Sequence, residues 1–511
     1  MNRSFKTVQI LLLGLIPVII FLYFYHWKTN TIYGDDLLAY RDHFRYSDFS
    51  EKLNLFISSQ KFRPVSWLVY ETVITFFKAH LFRYYVFNVL IQSLNTIILI
   101  GVFNTIFRRA IYATVFGLLF GLSRFGLYNI TQLFCGGVLE GLAMTFFLLT
   151  LYFIINSIQY HTPNKKRVYS FLLWAILFAN LAMYTHERYI VLSPFIGMNI
   201  LFFPYKNVLN TQQKILGLGL SLLSVVLNVA VKKICFSMPF FVGTGGTNIK
   251  FSFKSALGYY FDGILSIIQI NSGPEYLVGI PHTSLNFLFQ IILVLIVVIE
   301  LFILGFCIKS YLKDIKQNIE GAVGKFISFL YVFALLNICL VPAIVTIRLE
   351  QRWLQASFGA FLLLMAMAFS KLSVFENKRL LGVFSAFIIL FLVSDYNYLS
   401  NGANNFYLKD AEKTAWFFKN AIDNGVIREN SDTIVVFEKN KDVNAEGALN
   451  WSVGDGYIFK FYQNKAKKVL FIDSVGLVND TAQIKLIKNL SKNKSQVIYF
   501  EKELVDITGQ F

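Results

Sequence analysis

The sequence predicts an α-helical polytopic membrane protein that carries a small α/β domain at its C-terminal end. Of the 511 residues, 56% are hydrophobic and only 15% are charged, whereas about 25% of the residues of a soluble globular protein are charged. Apolar runs of membrane-spanning length recur up to residue 397. Beyond it the runs stop, and 15 Lys and Arg stand against 14 Asp and Glu. This composition excludes a disordered protein, a fibrous protein and a single soluble enzyme.

Eleven apolar segments approach the roughly 20 residues that a membrane-spanning helix needs. The first follows Arg3 and Lys6 and resembles a signal peptide. It is longer than a signal core and ends in aromatic residues without a small-residue cleavage site, so we expect it to be retained as a span. The segments lie near residues 8–26, 86–107, 110–129, 138–158, 170–185, 189–204, 215–231, 285–308, 326–347, 354–370 and 380–397.

The net charge of +17 has a topological explanation. With the N-terminus in the cytoplasm, about 16 basic residues fall in the cytoplasmic connections, against only Asp314, Glu320 and Glu376. A positive charge excess in cytoplasmic loops orients a membrane protein, and nucleic acid is therefore not predicted as a partner. An odd number of spans places the C-terminus outside the cytoplasm.

This topology predicts two domains. The first is a transmembrane catalytic domain at 1–397 with large outer loops at 27–85 and 232–284, and the second is an extracytoplasmic α/β domain at 398–511. The predicted strands and helices of the second domain are Thr433–Phe437, Val469–Ile472, Val497–Phe500, Lys409–Asn424 and Thr481–Leu490.

No metal or cofactor is predicted. The four cysteines, at positions 135, 235, 307 and 339, have no paired spacing such as C-x-x-C, so neither a disulfide scaffold nor a zinc site is supported.

An acidic pair, Asp35 and Asp36, follows the first span in the outer loop. Two adjacent carboxylates favour one protonated and one ionised form, which suits a general base. The alternative is a solvated turn in which an aspartate caps a helix. Further along, Arg63 and Pro64 open an amphipathic segment that extends to about Lys78. We expect it to lie in the membrane interface with basic groups near lipid phosphates, or to serve as a plain anchor.

A second group of ionisable residues, His186, Glu187 and Arg188, forms a tight outer turn between two short spans. Such residues at a membrane boundary are costly and therefore indicate function, although a surface pair of Glu187 and Arg188 is the alternative. Glu140 lies near the outer end of the fourth span, just after two glycines where the backbone could approach a ligand closely.

A third group, Arg348, Glu350 and Arg352, lies at the outer junction of the ninth and tenth spans. Two arginines on the outer side contradict the positive-inside trend, and their presence there requires an explanation. The planar guanidinium binds phosphate through two parallel hydrogen bonds, so a lipid-phosphate site is the favoured interpretation. An arginine–glutamate salt bridge in the interface is the alternative.

In their order and membrane side these clusters resemble the GT-C superfamily of integral-membrane glycosyltransferases. The likeness rests on the acidic pair after the first span, Arg63-Pro64 with its interfacial helix, Tyr85–Asn88 at the start of the second span, and the later glutamate and arginine turns. The plan is similar to that of protein O-mannosyltransferases and bacterial polyprenyl-phosphate-sugar transferases. The resemblance covers most of the first 397 residues, and the tail beyond them does not match the family.

The resemblance implies transfer of a sugar, usually with inversion, from a polyprenyl-phosphate donor to a glycan or other cell-envelope acceptor, at the outer face of a bacterial cell membrane. Asp35 or Asp36 would take the proton of the acceptor hydroxyl. Arg348 and Arg352 would hold the leaving phosphate, with Arg63 or Arg188 as helpers. The remaining residues, Glu140, His186, Glu187 and Glu350, are expected in the substrate-binding region.

Two other classes stay open. A transporter or lipid-linked oligosaccharide flippase would show inverted repeats or helices broken at the midplane, and neither is evident in the sequence. A polysaccharide polymerase or ligase would use outer arginines on a lipid pyrophosphate without needing the acidic pair.

Overall fold

A computed structural model describes residues 3–58, 62–159, 165–204, 208–237, 252–272, 279–346, 348–401, 409–438, 452–473, 495–500 and 503–508. The described chain is predominantly helical with one small sheet. The predicted helix Thr481–Leu490 lies outside the described residues.

The helices of the described chain are numbered in sequence order. They are α1 (Arg3–Phe24), α2 (Gly34–Arg45), α3 (Phe49–Ser58), α4 (Pro64–Phe77), α5 (Leu81–Phe107), α6 (Ala110–Gly121), α7 (Leu127–Thr131), α8 (Leu142–Gln159), α9 (Lys165–Thr185), α10 (Leu192–Leu201), α11 (Thr211–Ala230), α12 (Phe253–Ile267), α13 (Phe287–Lys316), α14 (Ala322–Thr346), α15 (Gln351–Lys371), α16 (Lys378–Ser400), α17 (Lys409–Asp423) and α18 (Tyr457–Gln463).

Eight helices in the described chain are long and apolar enough to cross a membrane. A ninth crossing is possible where α6 and the segment Arg124–Thr131 form one span bent by 54°. The protein is therefore a multi-pass membrane protein, with fewer clear spans than the eleven predicted. The first predicted span corresponds to α1, whose apolar part Leu12–Trp27 is among the shorter apolar helices.

The sixth predicted span is shorter than expected. Its α-helical part, α10, has only 10 residues and follows a 3₁₀ turn at Glu187–Val191. This segment nevertheless runs antiparallel to the full length of α11. Lys232, at the end of α11, pairs with Glu187 at 3.0 Å, and Lys214 at its start donates to the Leu201 carbonyl at 3.5 Å. The segment therefore covers the same distance as α11.

Helix α15 lies at the centre of the helical bundle. In its most apolar stretch 89% of the residues are buried, against 22% in α11 and 28% in α13, whose apolar side chains face outward. Because α15 begins beside Arg352 and ends at Lys371, it connects the two ends of the bundle through the core.

The C-terminal part contains a four-stranded sheet in the order β2-β1-β3-β4. Strands β1 (Thr433–Glu438), β2 (Lys468–Asp473) and β3 (Ser495–Phe500) are parallel and contain the three predicted strands, while β4 (Leu504–Asp506) adds an antiparallel edge that the sequence analysis did not predict. The buried β1 and β3 carry continuous apolar runs, as parallel strands do. Helix α17 confirms the first of the two predicted tail helices.

The sheet domain shares a hydrophobic core with the outer loop at 27–85. Leu37 of α2 and Ile74 of α4 belong to the same buried cluster as Phe418, Ile434 and Phe459 of the tail. The predicted division at residue 397 stays a prediction, but the packing shows that the tail does not stand apart from the first outer loop.

Gly137 offers a test of the packing near the outer end of α5. A Cβ at this position would lie 1.8 Å from Oδ1 of Asn88. Nδ2 of the same side chain donates a hydrogen bond to the carbonyl oxygen of Gln132 at 2.6 Å. We expect Gly137→Ala to lower the melting temperature of the purified protein by several degrees, because overpacking a tight site costs about 1–3 kcal/mol.

Gly305 of α13 is the matched control, since nothing lies within 4 Å of its Cβ position. We expect Gly305→Ala to leave the melting temperature unchanged or slightly raised, because alanine favours a helix over glycine. A Gly137→Ala protein as stable as the Gly305→Ala protein would contradict the packing described here.

Candidate active site

The acidic pair lies in the first turn of α2. Gly34 begins this helix with a φ of +60°, a left-handed conformation that glycine adopts without strain, and Asp35 and Asp36 follow. Asp36 is buried, and its two carboxylate oxygens accept the backbone N–H groups of Leu133 (2.7 Å), Phe134 (2.8 Å) and Cys135 (2.9 Å). Asp36 therefore fixes the start of α2 to the chain that leads into α8.

Burial raises the pKa of Asp36 to about 6, although the three N–H donors act in the opposite direction and favour the carboxylate. The negative charge of Asp35 adds to the rise of this pKa, which shows that the two carboxyl groups lie close together.

Asp35 has a different environment. Its side chain is partly exposed, and no described residue forms a hydrogen bond or ion pair with its carboxylate. Of the two aspartates, Asp36 is therefore held by the fold, and Asp35 is the one whose oxygens remain available to a ligand.

Arg63 immediately precedes α4. Its side chain is 7% exposed, and Nε and Nη2 have no hydrogen-bond partner among the described residues. A buried guanidinium without an acceptor is costly, so the position indicates an anionic ligand. The backbone around it is held on both sides, because Phe62 N–H donates to Glu187 Oε1 at 2.6 Å and Ser66 Oγ donates to the Arg63 carbonyl at 3.0 Å.

Glu187 also pairs with Lys232, a residue that the sequence analysis did not select. Lys232 is buried at the end of α11, and its Nζ lies 3.0 Å from Glu187 Oε1. Glu187 thus connects three segments at this end of the helical bundle and has two protein partners. A lysine that ends a long apolar run was the only signal for Lys232 in the sequence.

Glu140 is the centre of a buried network of charges. Both of its carboxylate oxygens accept from Arg188 Nη2. His186 Nε2 and Arg352 Nε each lie 3.7 Å from Glu140 Oε1. The alternative of a surface pair between Glu187 and Arg188 does not apply, because Arg188 turns inward to Glu140 and Glu187 turns to Lys232.

Glu350 completes this network. Its two oxygens lie 2.5 Å from Arg348 Nε and 2.5 Å from Arg352 Nε. The salt bridge between arginine and glutamate, which is the alternative to a lipid-phosphate site in the sequence analysis, is therefore present. Arg352 is shared between two carboxylates, and neither Arg348 nor Arg352 carries an uncompensated charge.

Aromatic rings support the arginines. Trp353 lies 5.3 Å from the guanidinium of Arg188 and 5.6 Å from that of Arg348, while the ring of Tyr128 lies 4.2 Å from that of Arg352. Cation–π contacts of this kind add to the ion pairs and fix the planes of the guanidinium groups.

A π-helical turn at Cys135–Gly141 presents Glu140 to this network. Such turns interrupt helices mostly at functional sites. Gly136 and Gly137, two of the three glycines in it, do not open the backbone to a ligand, contrary to the expectation from sequence. The space beside Gly136 is occupied by the Tyr128 carbonyl, and that beside Gly137 by Asn88.

Cys135 brings the separate groups together. It interacts electrostatically with Tyr70, Asp35, Asp36 and Arg352, and Tyr70 in turn interacts with Arg63. The acidic pair, Arg63 and the arginine network thus lie around one point. All ten residues that the sequence selected lie at the same end of the helical bundle.

Three further buried charged residues were missed. Arg124, in the bent segment after α6, lies 3.4 Å from Asp395 of α16 and donates to the Ser266 carbonyl at 2.9 Å. These contacts tie the bent segment after α6 to α16 and to α12. Glu300 is buried within α13, and its carboxylate has no hydrogen-bond partner among the described residues. In the sequence each of these three residues is a single charged residue within an apolar run, and this pattern could have identified them.

Glu140→Gln tests the buried network. The substitution keeps the side-chain shape but leaves Arg188 without its carboxylate, and breaking a buried pair costs about 3–5 kcal/mol. We expect a clear fall in the melting temperature in detergent. Glu320→Gln, at an exposed position, is the control and should leave the melting temperature unchanged. Equal melting temperatures for the two variants would show that the network does not stabilise the fold.

Comparison with known proteins finds similarity among solved structures only. No protein-family model and no curated protein matches the chain. The chain is similar to the crystal structure of ArnT from Cupriavidus metallidurans bound to undecaprenyl phosphate, with a TM-score of 0.45 and 10% sequence identity over 96% of this chain and 93% of that chain. Values this low establish neither a shared family nor a shared function.

Proposed function

We propose that the protein is a membrane glycosyltransferase of GT-C type, which transfers a sugar from a polyprenyl-phosphate donor to an acceptor hydroxyl at the outer face of a bacterial membrane. One observation carries the proposal. Around Cys135, a carboxylate and a guanidinium lack protein partners among the described residues, namely Asp35 and Arg63. A base and an anion-binding group side by side are what such a transfer needs.

In the proposed reaction, Asp35 is the general base. Its carboxylate accepts the proton of the acceptor hydroxyl while the hydroxyl oxygen attacks the anomeric carbon. The bond between this carbon and the phosphate oxygen breaks, and the polyprenyl phosphate leaves with the bonding electrons. Attack from the side opposite the phosphate inverts the anomeric centre. Asp36 positions Asp35 through α2 and does not itself reach the substrate.

Arg63 is proposed to stabilise the leaving phosphate. Its free N–H groups lie in a buried site, where an electrostatic interaction with developing negative charge is strong. Arg348 and Arg352 already have Glu350 as a partner, so we assign them to the shape of the donor site and not to the main phosphate contact. His186, Arg188 and Glu140 are assigned to the same supporting network.

The proposed orientation follows from the basic connections. The helix ends opposite this site carry the positive-inside charges, which supports an orientation with the N-terminus in the cytoplasm and the site and tail outside. Lipid-linked donors are available at that face without nucleotide, so a nucleotide-binding loop is not needed.

The two aspartates separate catalysis from folding. We expect Asp35→Asn to lower the transfer rate about 10²- to 10⁴-fold, the usual contribution of a general base, with an unchanged melting temperature. Asp36→Asn should lower the melting temperature, because the asparagine NH₂ group would face a backbone N–H. The assay measures polyprenyl phosphate released when purified protein receives polyprenyl-phosphate sugars and acceptor membranes from a strain lacking the protein.

Unchanged transfer by Asp35→Asn would exclude Asp35 as the base. If Asp36→Asn also retained full transfer, the polymerase or ligase alternative, which needs no acidic pair, would be favoured.

Arg63 gives a second test with a graded series. We expect Arg63→Gln to lower kcat/KM for the lipid donor about 10²- to 10³-fold, as expected for loss of one transition-state donor. Arg63→Lys should retain part of the activity, because lysine keeps the charge but not the planar fork. Arg83→Gln, an exposed arginine near the start of α5, is the control. Similar activities for Arg63→Gln and Arg83→Gln would refute the phosphate assignment.

A further inference from the structure

A second cavity lies at the opposite end of the bundle from the candidate active site. It has a volume of about 540 Å³ and is lined by the ends of α5, α8 and α15. Helix α15 begins at the active-site arginines and reaches this cavity after 21 residues, or about 30 Å at 1.5 Å per residue. The two sites are therefore separated by about the thickness of a bilayer core.

Four basic residues from three separate connections surround the cavity. They are Arg108 and Arg109 between α5 and α6, Lys325 in the first turn of α14, and Lys371 at the end of α15. Lys371 pairs with Asp314. The other three form no ion pair with any described residue, although Glu376 also lines the cavity. The cavity therefore carries a net positive charge.

Topology alone does not require this arrangement. A cytoplasmic basic residue orients a span from any exposed position in its loop, as Lys378 and Arg379 do at the start of α16. Convergence of like charges on one cavity is electrostatically unfavourable unless an anion occupies it.

The other side of the cavity is apolar. Ile106, Ile155, Ile158 and Met367 line it beside the basic rim. The aromatic ring of Phe375 stacks on that of Tyr112, with centroids 4.0 Å apart, and lies 5.9 Å from the guanidinium of Arg109. The site thus offers cations to a charged head and hydrocarbon to an attached chain.

We propose that this cavity binds a phosphate ester, with the headgroup phosphate on Arg108, Arg109 and Lys325. The apolar lining favours an anionic membrane lipid as the source over a soluble phosphate. Basic pockets between membrane helices on the cytoplasmic side recognise lipid headgroups in this way. The proposal is independent of the transfer reaction at the other end.

The test compares lipid binding by native mass spectrometry of the purified protein in detergent. We expect phosphatidylglycerol to bind at least roughly tenfold more tightly than phosphatidylcholine with the same acyl chains, since each basic residue near a phosphate contributes about fivefold and more than one acts here. Arg109→Gln combined with Lys325→Gln should abolish this preference. Both side chains are exposed, and an unchanged elution volume and melting temperature will show that the variant is folded.

Lys378→Gln combined with Arg379→Gln removes the same charge outside the cavity and should keep the preference. Glycerol phosphate and inorganic phosphate form the soluble arm, and we expect them to bind weakly. Equal binding of glycerol phosphate and phosphatidylglycerol would support the phosphate site and assign it to a soluble ester. The proposal would be overturned if the cavity variant kept the wild-type preference for phosphatidylglycerol. It would also be overturned if the control variant lost this preference to the same extent as the cavity variant.

Discussion

The contact on which the candidate site depends is the bond between the Asp36 carboxylate and three successive backbone N–H groups, those of Leu133, Phe134 and Cys135. It joins the first outer loop to the chain entering α8, nearly 100 residues later. Because the acceptor is charged and the site is buried, these bonds are strong. They fix the first turn of α2, and with it Asp35, against the π-helical turn that presents Glu140. This contact therefore fixes the position of the acidic loop relative to the arginine network.

Charge balance explains which groups remain for chemistry. In a buried region each charge needs a partner. The structure meets this demand by pairing Glu140 with Arg188, Glu350 with two arginines, and Glu187 with Lys232. The paired residues form a rigid, nearly neutral wall. Asp35 and Arg63 are not part of these pairs. A substrate that gives one proton to Asp35 and places one phosphate beside Arg63 would provide a partner for both charges.

The helical class, the sheet domain and the end of the bundle that carries the site were all predictable, because apolar runs and charge bias act locally along the chain. The sequence did not predict which of the two aspartates, Asp35 or Asp36, is held by the protein and which remains available to a ligand. Adjacent residues in a helix point about 100° apart, and the groups that bind Asp36 come from a distant segment whose N–H donors leave no mark in the sequence. The partner of Arg188 was not predicted for the same reason, since Glu140 lies 48 residues earlier in the chain. The short α10 was overestimated because hydropathy does not distinguish a 3₁₀ turn from a helix.

The position of α2 gives the tail a role at the site. One side of this helix is fixed by Asp36, and the other packs on the C-terminal domain. Gly454, at a φ of +53°, lies so close to Leu37 that a Cβ would come within 2.6 Å of it, and Arg41 pairs with Asp455 at 2.9 Å. Helix α2 is thus clamped between the membrane part and the tail. The tail therefore packs directly against the helix whose first turn carries Asp35.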